Sequence, residues 1–236
     1  MKKFVPVILL MTLLSGCDVI NQLPGSTTTS SGTVTQAEAA EGIKQALSQG
    51  LAKAVLQLNK QDGFYGDAFY KILLPPDAQK IEKTLRGVGL SSAVDKAILQ
   101  INRGAEDAAG YARPIFADAI REMTITDAIN IVSGGDTSAT HFFRTRTTEK
   151  LTAAFLPVIK SSLNKVNATK YYGDIVNTYN NFPTTFNKIN PDLPSFVTDR
   201  ATNALFDLVA KEEKNIRENP IARTTDILKK VFGGLL

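Results

Sequence analysis

Asp136, Ser138 and His141 place a carboxylate, a hydroxyl and the chain's single histidine within six residues. These are the residue types of nucleophilic hydrolysis: an orienting acid, a nucleophile and a general base. A helix through the stretch would put Ser138 and His141 on one face. Triad members, however, are normally assembled by the fold from distant positions, and Phe142 and Phe143 follow His141 at once. A surface or helix-end histidine is the plainer reading. One histidine and one cysteine leave too few nitrogen and sulfur ligands for a zinc site. An all-oxygen calcium or magnesium site built from Asp and Glu stays open, although the chain has no EF-hand loop; no metal or other cofactor is expected. The segment "SGGDTSAT" sets two glycines before a helix start, where free N–H groups could receive an anion. It lacks the lysine of a P-loop, and a helix-ending turn followed by an N-cap competes with the anion reading.

The clearest chemistry lies at the other end. Cys17 is the only cysteine in 236 residues. Before it come a positive pair, Lys2 and Lys3, then the apolar run Phe4 to Leu14, then the small residues Ser15 and Gly16. Eleven residues are too few to cross a hydrocarbon core, which takes about 20. Leu14-Ser15-Gly16-Cys17 resembles the bacterial lipobox, in which the thiol is alkylated by diacylglycerol and the chain is cut just before it. That resemblance implies that Cys17 is the lipid-attachment residue and the mature N-terminus. Several acyl chains, at roughly 0.8 kcal/mol per buried methylene, would anchor it stably where one would not. The expected address is the bacterial envelope, lipid-anchored and facing the periplasm. Asp18 resembles the enterobacterial signal for inner-membrane retention; the choice between inner and outer membrane stays open.

Loss of residues 1–16 removes Lys2 and Lys3, so 27 basic residues become 25 against 23 acidic, and the net charge falls from +4 to +2. The remaining Lys and Arg are interleaved with acids, without the basic stripe that phosphate neutralisation requires. Nucleic acid is not an expected partner. The membrane, reached through the N-terminal lipid, and an envelope protein or lipid ligand are. With Cys17 lipidated no internal disulfide can form, and stability must come from burial, within reach of a chain that is 43% hydrophobic.

Residues 17–33, rich in Ser, Thr and Gly, read as a flexible tether behind a signal peptide over 1–16. From 34 to 236 the apolar spacing is helical. Thr35-x-x-Glu38 is a capping box that opens a helix burying Ile43, Leu47, Leu51, Val55 and Leu58. "NKQDGFYGD" ends it. A short helix is predicted from Asp77 to Arg86, stopped by Gly87 and Gly89. Ser92, with Asp95, should cap a helix whose face is Val94, Ile98, Ile101, Ala105 and Ala108. Pro114 predicts a break near Arg113, after which Ile115, Phe116, Ala119, Ile120 and Met123 resume. Thr124-x-x-Asp127 starts a short helix that ends at Gly134. Leu151, Phe155, Val158, Ile159, Leu163 and Val166 mark another helix, through or kinked at Pro157. Tyr171 to Phe182 forms one more, 183–194 a proline-rich loop, and Ser195 to Arg217 the last long helix. Ile227, Leu228, Val231 and Phe232 suggest a short terminal one. No segment has the period of a strand. The expected fold is all-α, a single multi-helix domain, orthogonal or bundle-like.

Four stretches carry a family resemblance: "DGFYGDAFYKILLP", the long segment from "INRGAEDAAGYARP" to "THFFRTRT", "LNKVNATKYY", and "DLPSFVTDRATNALFDLVAKEEKNIRENPIARTTDILKKVFG". They resemble the bacterial DUF4197 family from about Ala40 to Gly233. The resemblance implies an exported, mostly helical protein in one domain and implies no reaction. Positions matching the family pattern include Arg103, Glu106, Thr124, Asp127, Glu212, Glu213, Arg217 and Arg223. Asp207 with Lys211, and Glu213 with Arg217, are spaced for i,i+4 pairs. A solvated helix face is one reading of the C-terminal charges. The sharper one pairs Arg217, Arg223 and Glu212 with Arg103 and Glu106 across helices, as a structural network or a pocket lining. The expectation is a non-enzymatic binding or scaffold module of the envelope. The alternatives are a carboxylate- and arginine-based hydrolase or metal-dependent enzyme, and a carrier of an apolar ligand.

Overall fold

The structure, a computed structural model, describes residues 35–181, 183, 186–223, 226 and 229. Cys17, its leader and tether, and the apolar set Ile227, Leu228, Val231 and Phe232 lie outside the described residues. Among the described residues eight α-helices and two 3₁₀ turns are bounded, and no strand occurs. The all-α expectation holds.

Helix α1 (Gln36–Asn59) begins where the sequence says it should. The Thr35 hydroxyl accepts from the Glu38 N–H, and the Glu38 carboxylate accepts from the Thr35 N–H at 2.9 Å. Its predicted face is buried throughout, from Ile43 to Leu58. A 3₁₀ turn (Pro76–Ala78) leads into α2 (Gln79–Gly87), which has no buried residue. Helix α3 (Ser91–Ala109) starts one residue before the expected cap. Leu90 occupies the cap position, Ser92 lies inside the first turn, and Asp95 instead pairs with Arg86 at 2.9 Å. The expected break precedes α4 (Ala112–Arg121). Helix α5 (Ile125–Ser133) carries the second capping box, with Thr124 and Asp127 bonded reciprocally, and ends at Gly134.

Helix α6 (Ser138–Asn164) passes through Pro157 as one element; the ring removes one intrahelical donor and is tolerated inside a long packed helix. Helix α7 (Ala168–Asn180) and α8 (Leu193–Glu218) follow. The loop before α8 is shorter than its prolines suggest, because Pro194 sits in the first turn, where a missing N–H costs nothing. A 3₁₀ turn (Pro220–Ala222) stops the chain's last long helix.

Helix α6 is the hub. It packs most extensively on α3 and α8 and also touches α4, α5 and α7, while α1 lies against α3, α4, α5 and α8. Phe64, Phe116, Phe143, Phe155 and Phe206 are fully buried. Phe116 sets its ring edge-on to Phe143 at 5.7 Å and to Phe206 at 6.2 Å, joining α4, α6 and α8. Such a side chain contributes about 1.5–3 kcal/mol when fully buried. The α3–α6 crossing depends on Gly104: a Cβ there would lie 2.9 Å from the Ser162 Cβ.

Candidate functional site

The polar residues singled out in the sequence do not converge; they fall into separate bonded sets. Glu106 on α3 is 3% exposed, and one of its oxygens accepts from the N–H groups of Phe64 and Tyr65, both at 3.1 Å. Its other oxygen meets Arg103 at 2.5 Å, and Arg103 reaches on to Asp62 at 2.8 Å. Asp62 holds φ +63°, a left-handed conformation that Asp tolerates better than most residues. This set anchors the tight turn after α1. Asn102, one turn earlier on α3, does the same for the next segment: its amide bonds both the N–H and the carbonyl of Ile72, each at 2.8 Å.

Glu213 and Arg217 on α8 do different work. Glu213 accepts from the N–H groups of Ala139 and Thr140, both at 2.9 Å, and from the Thr140 hydroxyl at 2.8 Å. A buried carboxylate thus fills the positive N-terminal end of α6. Arg217 pairs with Glu213 at 3.0 Å and donates to the carbonyls of Ile131, Val132 and Gly134 at the C-terminal end of α5. One ion pair therefore closes both sides of the α5–α6 junction. Arg223, 4% exposed, donates to the carbonyls of Ile216 and Arg217 and closes the end of α8.

For the sharper of the two readings, which pairs Arg217, Arg223 and Glu212 with Arg103 and Glu106, no bond among the described residues joins the two sets. Glu106 and Glu213 each accept from backbone N–H groups and pair with an arginine of their own helix. Glu212 instead meets Lys53 at 3.3 Å on the surface. Asp127 serves its own capping box, and the Thr124 hydroxyl and N–H hold its carboxyl below the usual range. The possible anion nest in "SGGDTSAT" is filled by the chain's own Glu213. Sequence inspection missed this because the bonded residues are 73 and 74 positions apart.

The Ser138 hydroxyl donates to the Gly135 carbonyl at 2.8 Å, and no bond among the described residues links Asp136, Ser138 and His141. No cluster of three or more metal-ligating side chains occurs among the described residues, and no helix among them is long and apolar enough to cross a membrane.

Three concavities stand out among the described residues. The first, about 660 Å³, lies along α6 and α8 with Phe69 and Tyr70 at one side and His141, Arg144, Arg200 and Asn203 in its walls. Tyr70 was not flagged by the sequence. Its phenol donates to Asp207 at 2.6 Å and accepts from Lys211 at 2.7 Å, and Lys211 also meets Asp207 at 2.8 Å, the predicted i,i+4 pair. Burial, and next the bond to Asp207, push the phenol above its ordinary 10.0. Burial alone would raise Asp207, but the Lys211 and Tyr70 bonds outweigh it and hold that carboxyl low. A phenol so held is no proton-abstracting base. The second concavity, about 560 Å³, adjoins the first through Thr137 and His141 and is lined by Asp127, Phe142 and Arg146.

The third is different in kind. About 420 Å³ lies between α2, α3 and α7, lined by Leu74, Ile81, Leu85, Val94, Ile175 and other apolar groups, with the Tyr171 and Tyr172 rings. Among the described residues of its lining, exposed Lys96 is the charged one. Leu90 and Tyr171 remain about half exposed at this site, at 48% and 58%.

Fold and site together define an all-helical protein whose buried charges brace its own backbone. The chain belongs to the family described as "Protein of unknown function (DUF4197)", which matches residues 33–233. No curated protein and no solved structure matches it.

Proposed function

We propose that this protein is a lipid-anchored component of the bacterial envelope whose helical domain binds an acyl chain without transforming it. The observation that carries this reading is the cavity between α2, α3 and α7, whose volume of about 420 Å³ falls in the ordinary range of ligand pockets. Its walls are aliphatic on nearly every side, so a hydrocarbon chain gains about 0.8 kcal/mol for each methylene it buries. The Lys96 ammonium offers an anionic head group its counter-charge. Anchorage at Cys17 is supported by the short positive segment, the apolar run and the lipobox-like residues before it. A binding role is further supported by the way the buried carboxylates Glu106 and Glu213 are occupied by backbone N–H groups and arginines.

The full chain, purified in neutral detergent, should capture a fluorescent fatty acid from solution. Ala97, half-buried in the cavity wall, is the residue to enlarge. Ala97→Phe should weaken capture at least about tenfold, equivalent to 1.4 kcal/mol, with the helical circular dichroism unchanged. Equal capture by both proteins would overturn the reading. Mass spectrometry of the processed chain should find it starting at Cys17 with a diacylglyceryl modification; an intact leader or a bare thiol would remove the anchor.

A further inference from the structure

The cleft along α6 and α8 has a charge arrangement that the apolar cavity does not explain. Arg144 and Arg200 face it from opposite helices, both exposed. Arg200 makes no hydrogen bond or ion pair with a described residue. Arg144 has a neutral partner: it donates to the Asn203 side chain at 2.8 Å, and its guanidinium lies 4.5 Å from the Phe206 ring centre. Held there, it keeps its remaining N–H donors, and a planar guanidinium suits a two-oxygen anion. The carboxylate in the lining, Asp207, is neutralised by Lys211 at 2.8 Å. The cleft is left with two uncompensated positive charges. Phe69, 71% exposed, supplies an apolar platform beside them, its ring already 4.3 Å from the Lys211 ammonium.

We propose that this cleft is a receptor for a small organic oxyanion, a phosphate or carboxylate borne on an aromatic or other flat apolar body. Arg144 and Arg200 clamp the anion from the two helices, and Phe69 packs against the body. Asn203 and Phe206 fix the direction of Arg144, so that little side-chain freedom is lost on binding. The site is independent of the acyl-chain cavity, which lies on α2, α3 and α7.

Calorimetric titration of the full chain in neutral detergent tests this with phenyl phosphate, benzoate and benzyl alcohol. Saturable binding of phenyl phosphate or benzoate at about millimolar concentration, and none of benzyl alcohol, is the expected result. The acid that binds identifies the anion as phosphate or carboxylate. Arg144→Gln and Arg200→Gln should each weaken it about tenfold, whereas Arg113→Gln, an exposed arginine of α4, should leave it unchanged. Ala97→Phe, which fills the other cavity, should also leave it unchanged, so the two sites fail separately. Absence of saturable binding with both acids, equal binding of benzyl alcohol, or indifference to both cleft substitutions would overturn the proposal. Thermal melts of the variants guard against unfolding, and exposed surface positions such as these usually change stability by less than about 0.5 kcal/mol.

Discussion

Glu213 is a charge whose worth lies in what it holds apart from its partner. Its two oxygens satisfy three donors at the start of α6 and also the Arg217 guanidinium. Glu213→Ala would strand two buried N–H groups and an arginine 12% exposed. The expected loss is about 3–5 kcal/mol, the usual cost of breaking one side of a buried pair, read as a shift of the urea midpoint at constant slope. Glu212→Ala, next door, breaks only the surface contact with Lys53 and should cost less than about 1 kcal/mol. Adjacent glutamates on one helix thus differ severalfold, and nothing in "KEEK" says which is which. What separates them is the position of the α6 terminus, set by tertiary packing.

Tyr172 gives a second expectation, at alkaline pH. Burial, and next the Asp77 carboxylate, push its phenol up to about 12 from 10.0. Its neutral form is the one the fold favours, so this contribution to stability is complete below pH 10.0 and is lost as pH climbs toward about 12. Tyr70 acts in the same direction. Denaturant midpoints measured from pH 8 to 11 should fall above pH 10, and Tyr172→Phe should flatten the fall. An unchanged pH dependence in that variant would contradict the assignment.

The helices show where local and distant forces divide. Two capping boxes, at Thr35–Glu38 and Thr124–Asp127, are legible because both partners lie three residues apart. The buried faces of α1, α3 and α8 follow from spacing alone. Ser92 failed as a cap because a turn closed by bonds from Val88, Gly89 and Leu90 back to α2 starts α3 one residue earlier. Pro194 belongs to the first turn of α8 and not to the loop that its neighbours suggest, because proline suits a first turn. Gly104, of a residue type that ordinarily weakens a helix, is where α3 and α6 approach. Gly104→Ala should cost about 1–3 kcal/mol by overpacking, and Ser162→Gly in the same chain should return part of that loss. If the two substitutions proved additive, the crossing would not depend on this contact.

For the molecule as a whole, an all-α core could be read from apolar periodicity. The concavities could not. The 660 Å³ cleft joins residues from about position 69 to position 210, and the cavity joins α2 and α3 to α7, across sequence gaps that no spacing rule reaches. Leu85 and Ile175 gave no sign of forming a wall, since apolar residues on a helix ordinarily mean core. Arg144 and Arg200 passed unnoticed for the same reason: isolated arginines in sequence are common, and only the packing of α6 on α8 makes them face one opening.

Helix α2 lacks a single buried residue, lies between Pro75-Pro76 and Gly87, and is followed by Gly89 at φ +86°. Helices α1 and α3, on either side of it, are both rooted in the common core. Brief trypsin treatment should therefore cut after Lys83 or Arg86 before it cuts within α1 or α3. The two pieces should then migrate together under native conditions and part only in denaturant, a nicked protein that behaves as a whole one.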